Sequence, residues 1–330
     1  MFSVDLAIKF GSNEIIVYRK GIGIVTKEPA YLAVVENGKS LKVKASGKEA
    51  EQLFFSHAND ITVYQPIENS EIKNEKMATL LMSHIVNKVV ADKTFLTRIN
   101  AIVAVPCALN EMQLIMIKRV LVSSGINKVT FVQNSVCAKA NLDLEPNAHI
   151  MVVDIGKFVT DISVLSDYSF DFGRMFFVGG QDMDKSITVF VEDNFNLQIT
   201  DMASEAIKND VASLYENDKN KIEFYGLNNQ DRFEKKSITA SEVKLAIVNV
   251  YNKIFEQIIN IMRELPKELV AEINQNGIMF VGGGSCIAGF YEFAKKFLNL
   301  PIIVPDCPSD SVILGAGKLL NEKDFLKIDF

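Results

Sequence analysis

The chain opens on an alternation of apolar and mostly polar positions, with Phe2, Val4, Leu6, Ile8 and Phe10 on one parity. This period of two predicts a strand with one buried face. Gly11-Ser12-Asn13 then predicts a tight turn, and residues 15–18 a returning strand. Residues 30–35 and 39–44 flank Glu36-Asn37-Gly38 as a second hairpin. Over 75–90 the period changes to that of a helix, with Met77, Leu80, Leu81, His84, Ile85 and Val89 on one face. A short buried strand is expected at 102–105, closed by Pro106. Asn110 is placed to cap a helix running to about Ser124, with Gly125 just past its end. A strand at 129–132 and a short helix at 135–142 follow.

The order then repeats. Residues 150–154 predict a buried strand, Gly156 a turn and 161–165 a returning strand. Helices are expected at 182–195 and 202–214. The stretch 216–236 is charged and Asn-rich, a poor core former. A long helix over 241–265 stops before Pro266, and a strand at 277–281 feeds Gly282-Gly283-Gly284. A helix at 289–298, a strand at 302–304 and a helix at 309–320 complete the chain. Each half opens with a strand, a glycine turn and a second strand, then adds helices and buried strands. The expected fold class is a duplicated α/β architecture, two halves around a cleft, with ligands at the carboxyl ends of strands near the glycine turns.

Composition narrows the function classes. A length of 330 residues suggests about two domains. With 48% hydrophobic and 23% charged residues, the chain is not disordered in bulk. Its net charge of −6 argues against nucleic acid as a partner. No apolar run reaches the roughly 18–20 residues of a membrane span, and the start MFSVDLAIKF lacks the pattern of a signal peptide. Cys107, Cys137, Cys286 and Cys307 contain no C-x-x-C pair and are expected to be inert thiols. His57, His84 and His149 share no ligand spacing, so zinc is not expected.

A series of short words runs in order along the chain: Lys20-Gly21-Ile22-Gly23-Ile24-Val25 with Glu28-Pro29, Pro66, Ala104-Val105-Pro106, and Met151-Val152-Val153-Asp154-Ile155-Gly156. Val178-Gly179-Gly180-Gln181-Asp182-Met183-Asp184, Glu205 with Lys208, and Leu265-Pro266-Lys267-Glu268-Leu269 come next. Gly277-Ile278, Gly282-Gly283-Gly284-Ser285 and Leu314-Gly315-Ala316-Gly317-Lys318 close the series. Each word alone is weak. Their order and spacing over residues 2–320 resemble a divergent member of the bacterial actin-like MreB family of rod shape-determining proteins. The resemblance implies the actin-like fold, shared with chaperone ATPases and sugar kinases, with four subdomains around a nucleotide cleft. Residues 1–28, 66–148 and 308–330 would form the first large subdomain and 29–65 the first small one. Residues 149–182 and 237–307 would form the second large subdomain and 183–236 the second small one. Fold alone does not fix function. The family, however, binds ATP and Mg²⁺ and polymerises into antiparallel double filaments on the inner face of the cell membrane, where it organises cell-wall synthesis.

The same resemblance assigns site residues, and several depart from the pattern. Two glycine hairpins grip phosphate through backbone N–H groups, each with a carboxylate that helps hold hydrated Mg²⁺. The first hairpin, D-L-G-T-x-N-T in the family, aligns with Lys9-Phe10-Gly11-Ser12-Asn13-Glu14-Ile15. Gly11 and Ser12 keep a nucleotide-contact role, but Lys9 replaces the carboxylate. Asp5 would fill that role only with about four residues inserted. The second hairpin, D-I-G-G-G-T-T-E, aligns with Asp154-Ile155-Gly156-Lys157-Phe158-Val159-Thr160-Asp161. Asp154, the one metal-side candidate, and Gly156 are kept, while Lys157, Phe158 and Val159 should obstruct a close phosphate approach. A different grip through Lys157 would need a rearranged loop. The catalytic E-E-P becomes Gln133-Asn134-Ser135, without a carboxylate to orient water. On the adenosine side, Gly179, Gly180, Glu205, Lys208, Gly282, Gly283 and Gly284 match the family's contacts. Glu205 with Lys208 also fits a plain i,i+3 surface ion pair, and the triple glycine a tight packing turn. Asp182 and Asp184 suit helix N-terminal charges better than metal ligands.

Phe95-Leu96, flanked by Lys93 and Arg98, matches the family's apolar membrane tip. The expected function is therefore an MreB-like cytoskeletal subunit, peripheral on the inner membrane face. It would assemble with itself or paralogous subunits, alongside cell-shape membrane proteins. ATP or ADP is the expected cofactor, Mg²⁺ is disfavoured, and efficient hydrolysis is lost. An ATPase with a rearranged phosphate site and a non-polymerising adaptor stay open as alternatives.

Overall fold

The computed structural model describes residues 2–37, 40–56, 60–92, 94, 96–142, 148–166 and 169–322. The chain divides into two compact units, residues 1–144 with 310–330 and residues 145–309. In chain order the first unit holds β1 (Phe2–Phe10), β2 (Glu14–Arg19), β3 (Gly23–Pro29), β4 (Leu32–Asn37), β5 (Ser40–Ser46) and α1 (Gly47–Ser56). It continues through β6 (Thr62–Tyr64), β7 (Ile67–Glu68), β8 (Glu71–Ile72), α2 (Glu75–Val89), β9 (Thr97–Val105), α3 (Glu111–Ser123), β10 (Lys128–Gln133) and α4 (Asn134–Ala140). The second unit holds β11 (His149–Ile155), β12 (Thr160–Ser166), β13 (Ser169–Phe176), α5 (Gly180–Phe195), α6 (Asp201–Val211), β14 (Lys221–Leu227) and β15 (Phe233–Thr239). Then come α7 (Ala240–Glu264), α8 (Lys267–Asn276), β16 (Ile278–Val281), α9 (Phe290–Leu298) and β17 (Ile302–Ile303), before the chain returns to the first unit as α10 (Ser311–Leu319).

The duplication expected from the sequence is present in the strand order. The main sheet of the first unit runs β10-β9-β1-β2-β3, and that of the second β17-β16-β11-β12-β13. In each, the opening strand pairs antiparallel with its hairpin partner and parallel with a later strand. The opening strand is therefore central. Leu6, Ala7 and Ile8 are all fully buried, so the expectation of one buried face fails for the middle of β1. Helices α2 and α3 cover the face of Leu6, Ile8 and Phe10, Ala7 points to the opposite face, and α10 packs against β1, β2 and β9.

Local signals fixed several elements as expected. Asn110 caps α3 through a reciprocal box with Gln113, and Gly125 follows with φ +98°. The buried face of α2 is rotated from the one expected. His84 is exposed, and Ala78, Met82 and Val86 join Met77, Leu81, Ile85 and Val89 inside. Charge misled over 216–236. Residues 221–239 form an antiparallel hairpin whose inward positions, Phe224 and Ile238, reach the core, while the charged residues face out. The largely aliphatic core of the second unit holds an aromatic cluster: Tyr251, Phe255, Phe280 and Phe290 are buried together, with the Phe280 and Phe290 rings 5.1 Å apart at 71°. No helix among the described residues is long and apolar enough to cross a membrane.

Candidate functional site

In the second unit the candidate residues gather at the carboxyl ends of the parallel strands β11 and β16, where Asp154-Ile155-Gly156 and Gly282-Gly283-Gly284 leave the sheet. Asp154, directly opposite Asp161 across the β11–β12 pair, is only 6% exposed. Gly282 lies against its carboxylate: a Cβ there would overlap Asp154 and stand 2.5 Å from the Ile155 carbonyl oxygen. Gly282 also has φ +85°, and a Cβ on Gly284 would overlap the Ile155 side chain. The buried Tyr251 hydroxyl donates to the Gly284 carbonyl at 2.6 Å. The first and third glycines are thus required by the backbone and its packing. The middle one is not. Gly283 is exposed, has an ordinary φ, and a Cβ on it would meet nothing within 4 Å. Gly282→Ala is expected to cost about 1–3 kcal/mol of stability, and Gly283→Ala to stay within about 0.5 kcal/mol of the parent. Urea unfolding of the two variants side by side checks the contrast.

The second hairpin packs on the start of α5. The Gly180 N–H donates to the Gly156 carbonyl at 2.9 Å and the Gln181 N–H to the Lys157 carbonyl at 2.7 Å. Asp182 accepts from the Gly179 N–H at 2.9 Å. A Cβ on Gly179 would stand 2.5 Å from the Gly156 oxygen, which is why glycine is needed there. The first N–H groups of α5, usually open to an anion, are taken up by this loop, while Asp182 accepts from the Gly179 N–H as a helix N-terminal charge and Asp184, expected in the same role, is instead buried against Lys208.

Glu205 and Lys208 do not pair with each other. Glu205 receives the Lys157 ammonium on both oxygens, at 3.0 and 2.9 Å. Lys208 bonds Asp184 at 2.7 Å and the Gly180 carbonyl at 3.2 Å. The side chains of Lys208 and Asp184 are 11% and 6% exposed, so this is a buried ion pair. Burial pushes the Asp184 carboxyl above its usual range, Lys208 opposes the shift, and the charge on Glu205 adds to it. The sequence motif flagged Glu205 and Lys208, but their partners Lys157 and Asp184 lie 48 and 24 residues away along the chain, and the Gly284 turn is supported by Tyr251 of α7. For Tyr251 no sequence signal existed beyond its place in the apolar stripe of α7.

In the first unit, Lys9 is the last but one residue of β1, beside Ala104 of β9 and Ile16 of β2. The β1–β2 register is unbroken from Leu6 to Phe10, so no insertion brings Asp5 to the hairpin. Asp5 instead accepts from Ser3 and Asn100. Lys9 is half-buried, and among the described residues its side chain has no hydrogen-bond or ion-pair partner. Gly11 is held close to the Glu14 carbonyl. The Ser12 hydroxyl accepts from the Ser70 N–H at 2.8 Å. Gln133 occupies the N-cap position of α4 at the end of β10 without a side-chain capping bond, and Asn134 beside it is buried.

The family's magnesium does not fit these donors. Lysine stands at position 9 before the first hairpin and at position 157 in the second, and Asp154 is buried against Gly282. Among the described residues no group of three or more His, Cys, Asp or Glu side chains is gathered for a metal.

Two sheets of one topology, each opened by a strand, glycine hairpin and return strand, define the actin-like class. Solved structures agree in fold. Spiroplasma citri MreB5 bound to ADP superposes with a TM-score of 0.88 at 24% identity, over 98% of each chain. A MamK double helical filament subunit gives 0.81 at 18% identity, over 97% of this chain and 99% of its own. The MreB/Mbl protein family model matches residues 3–328, and the chain belongs to that family. The cell shape-determining protein MreB of Escherichia coli is 25% identical over 98% of this chain and 95% of its own. The cell shape-determining protein Mbl of Bacillus subtilis is 26% identical over 99% and 98%.

Proposed function

We propose that this chain is a subunit of membrane-associated filaments that govern cell shape, assembling with itself or with paralogous MreB-like subunits. It binds ATP or ADP in the actin-like manner and has lost efficient hydrolysis. One observation carries the reading: a chain that keeps the family fold from end to end has lysine at both glycine hairpins, with Lys157 tied to Glu205. Gln133 and Asn134 supply no carboxylate to activate water. Relatives named for cell shape, MreB5 solved with ADP and with AMPPNP, and the MamK filament support assembly and nucleotide binding for this chain as well. The four-subdomain division given above, with small subdomains at 29–65 and 183–236, goes with this reading.

Self-association is supported by α3, where the exposed Met112, Ile115 and Val122 share one helical face with Arg119. Membrane attachment is supported by Leu96, 52% exposed in a turn held by Thr94 and Thr97, with Arg98 exposed beside it. Phe95, the other half of the expected tip, lies outside the described residues. One apolar tip binds weakly, and many copies in a polymer bind stably. The place of action on this reading is the inner face of the cell membrane.

The test mixes purified protein, ATP and Mg²⁺ with anionic vesicles and follows sedimentation and phosphate release together. The expected result is protein in the vesicle pellet with phosphate release at the protein-free background. Sustained turnover overturns the loss of hydrolysis. Failure to sediment, alone or with vesicles, overturns self-assembly, and failure to co-sediment with an MreB-like subunit that does polymerise overturns the filament reading.

A further inference from the structure

Resting on the nucleotide reading above, we propose that Lys157 takes the place of a divalent cation and that this chain binds its nucleotide free of metal. A nucleoside diphosphate or triphosphate needs positive charge beside its phosphates. In this chain that charge is built into the second hairpin. Lys157 sits one residue past Gly156, with its ammonium on Glu205 of α6 and its side chain about one-fifth exposed. Its Cα lies 3.5 Å from the Cβ position of Gly180, and the Lys208 ammonium lies 3.4 Å from that same position. The two ammonium groups are tied to different partners around the junction of this hairpin with α5 and α6, Lys157 to Glu205 and Lys208 to Asp184 and the Gly180 carbonyl. Their counter-charges are Glu205, on the partly exposed side, and the buried Asp184.

A hydrated divalent cation finds no place in this arrangement. It would meet the Lys157 and Lys208 ammonium groups, while the hairpin carboxylates Asp154 and Asp161 are buried, Asp154 against Gly282. The amides of Gly180 and Gln181 are also unavailable to an anion, because the Gly156 and Lys157 carbonyls hold them. Of these two lysines, Lys157 is the more exposed and its partner Glu205 the more exposed carboxylate, so its ammonium is the one free to move. A rotation of its side chain exchanges the Glu205 carboxylate for a phosphate oxygen, one charge-assisted pair for another, with no covalent change. Glu205 is freed by the same exchange. The open face of Gly283, which packing leaves without a neighbour within 4 Å, gives the rest of the nucleotide an approach at the strand ends.

The experiment is calorimetric titration of the full-length protein with ADP, in EDTA and in excess Mg²⁺, at one ionic strength. The expected result is a Kd in EDTA equal to or lower than that in Mg²⁺, and a loss of at least about tenfold in Lys157→Met. Thermal melting of that variant without nucleotide separates binding from folding, and the parent comparison needs no variant at all. Binding about tenfold tighter with Mg²⁺ overturns this inference and leaves the nucleotide reading standing. Metal-independent binding that survives in folded Lys157→Met overturns the role of Lys157. No binding in either buffer overturns the nucleotide reading itself, and this inference with it.

Discussion

Gly315→Val should cost at least about 3 kcal/mol and remove most soluble protein from expression. Helices α4 and α10 cross so closely that a Cβ on Gly315 would overlap the Cys137 carbonyl, with the Asn141 nitrogen only 3.2 Å away. The obstacles are backbone atoms of α4, which cannot rotate aside as a side chain would. Relief requires the two helices to separate. Val312, Ile313, Ala316 and Leu319 around Gly315 are fully buried, as are Cys137 and Ala138 opposite, so separation opens a cavity in the first unit. Gly317 is the milder neighbour. Its Cβ would meet the Tyr18 ring at 2.9 Å, and a ring can shift. Urea unfolding followed by circular dichroism gives the measurement, with an unchanged midpoint for Gly315→Val as the contrary result.

Lys208→Met is expected to lower stability by about 3–5 kcal/mol at pH 7, because it leaves Asp184 buried without its cation. The loss should depend on pH with a definite sign. In the native protein burial already holds the Asp184 carboxyl above its usual value of 3.8, and Lys208 pulls it back. Without Lys208 the native pKa rises further. A carboxyl raised in the native state binds more protons there than in the unfolded chain. Its contribution is complete below the unfolded pKa and is lost as pH rises through the native one. The variant should therefore regain part of its deficit at pH 5, relative to the parent at the same pH. Exposed carboxylates such as Asp92 and Glu264, lowered by Arg19 and Arg174, have the opposite slope, but parent and variant share them. Lys208→Met combined with Asp184→Asn should recover most of the loss at both pH values. A deficit independent of pH, measured by urea titration at pH 5 and 7, would count against the buried pair as its source.

The two variants differ in how far the sequence anticipates them. Gly315 sits in a word of the family pattern, but nothing within that word states that its neighbour is Cys137. Lys208 stands out in the sequence, while the pairing with Glu205 that its spacing also fits is not the one that forms. At i,i+3 from Glu205 it satisfies a helix-surface pair by spacing alone. In the folded unit the buried Asp184 draws Lys208, and Glu205 is left for Lys157. Burial sets this preference, because a desolvated carboxylate gains more from a cation than a wet one does.

By itself the sequence determined what depends on near neighbours and on the order of motifs. The box of Asn110 with Gln113 lies within one helical turn. The glycine hairpins, the repeat of strand, turn and strand, the family, and the lysines at Lys9 and Lys157 are all visible in residue order, since each is a matter of residue identity or of spacing over a few positions. The tertiary structure alone decided that β1 is central and buried on both sides, because parallel pairing with β9 joins residues about ninety positions apart. It alone turned His84 outward and made a hairpin of the charged stretch around Phe224 and Ile238. It also separated Gly283 from Gly282 and Gly284, three identical letters, since only packing and φ distinguish a glycine that the backbone requires from one that faces open space.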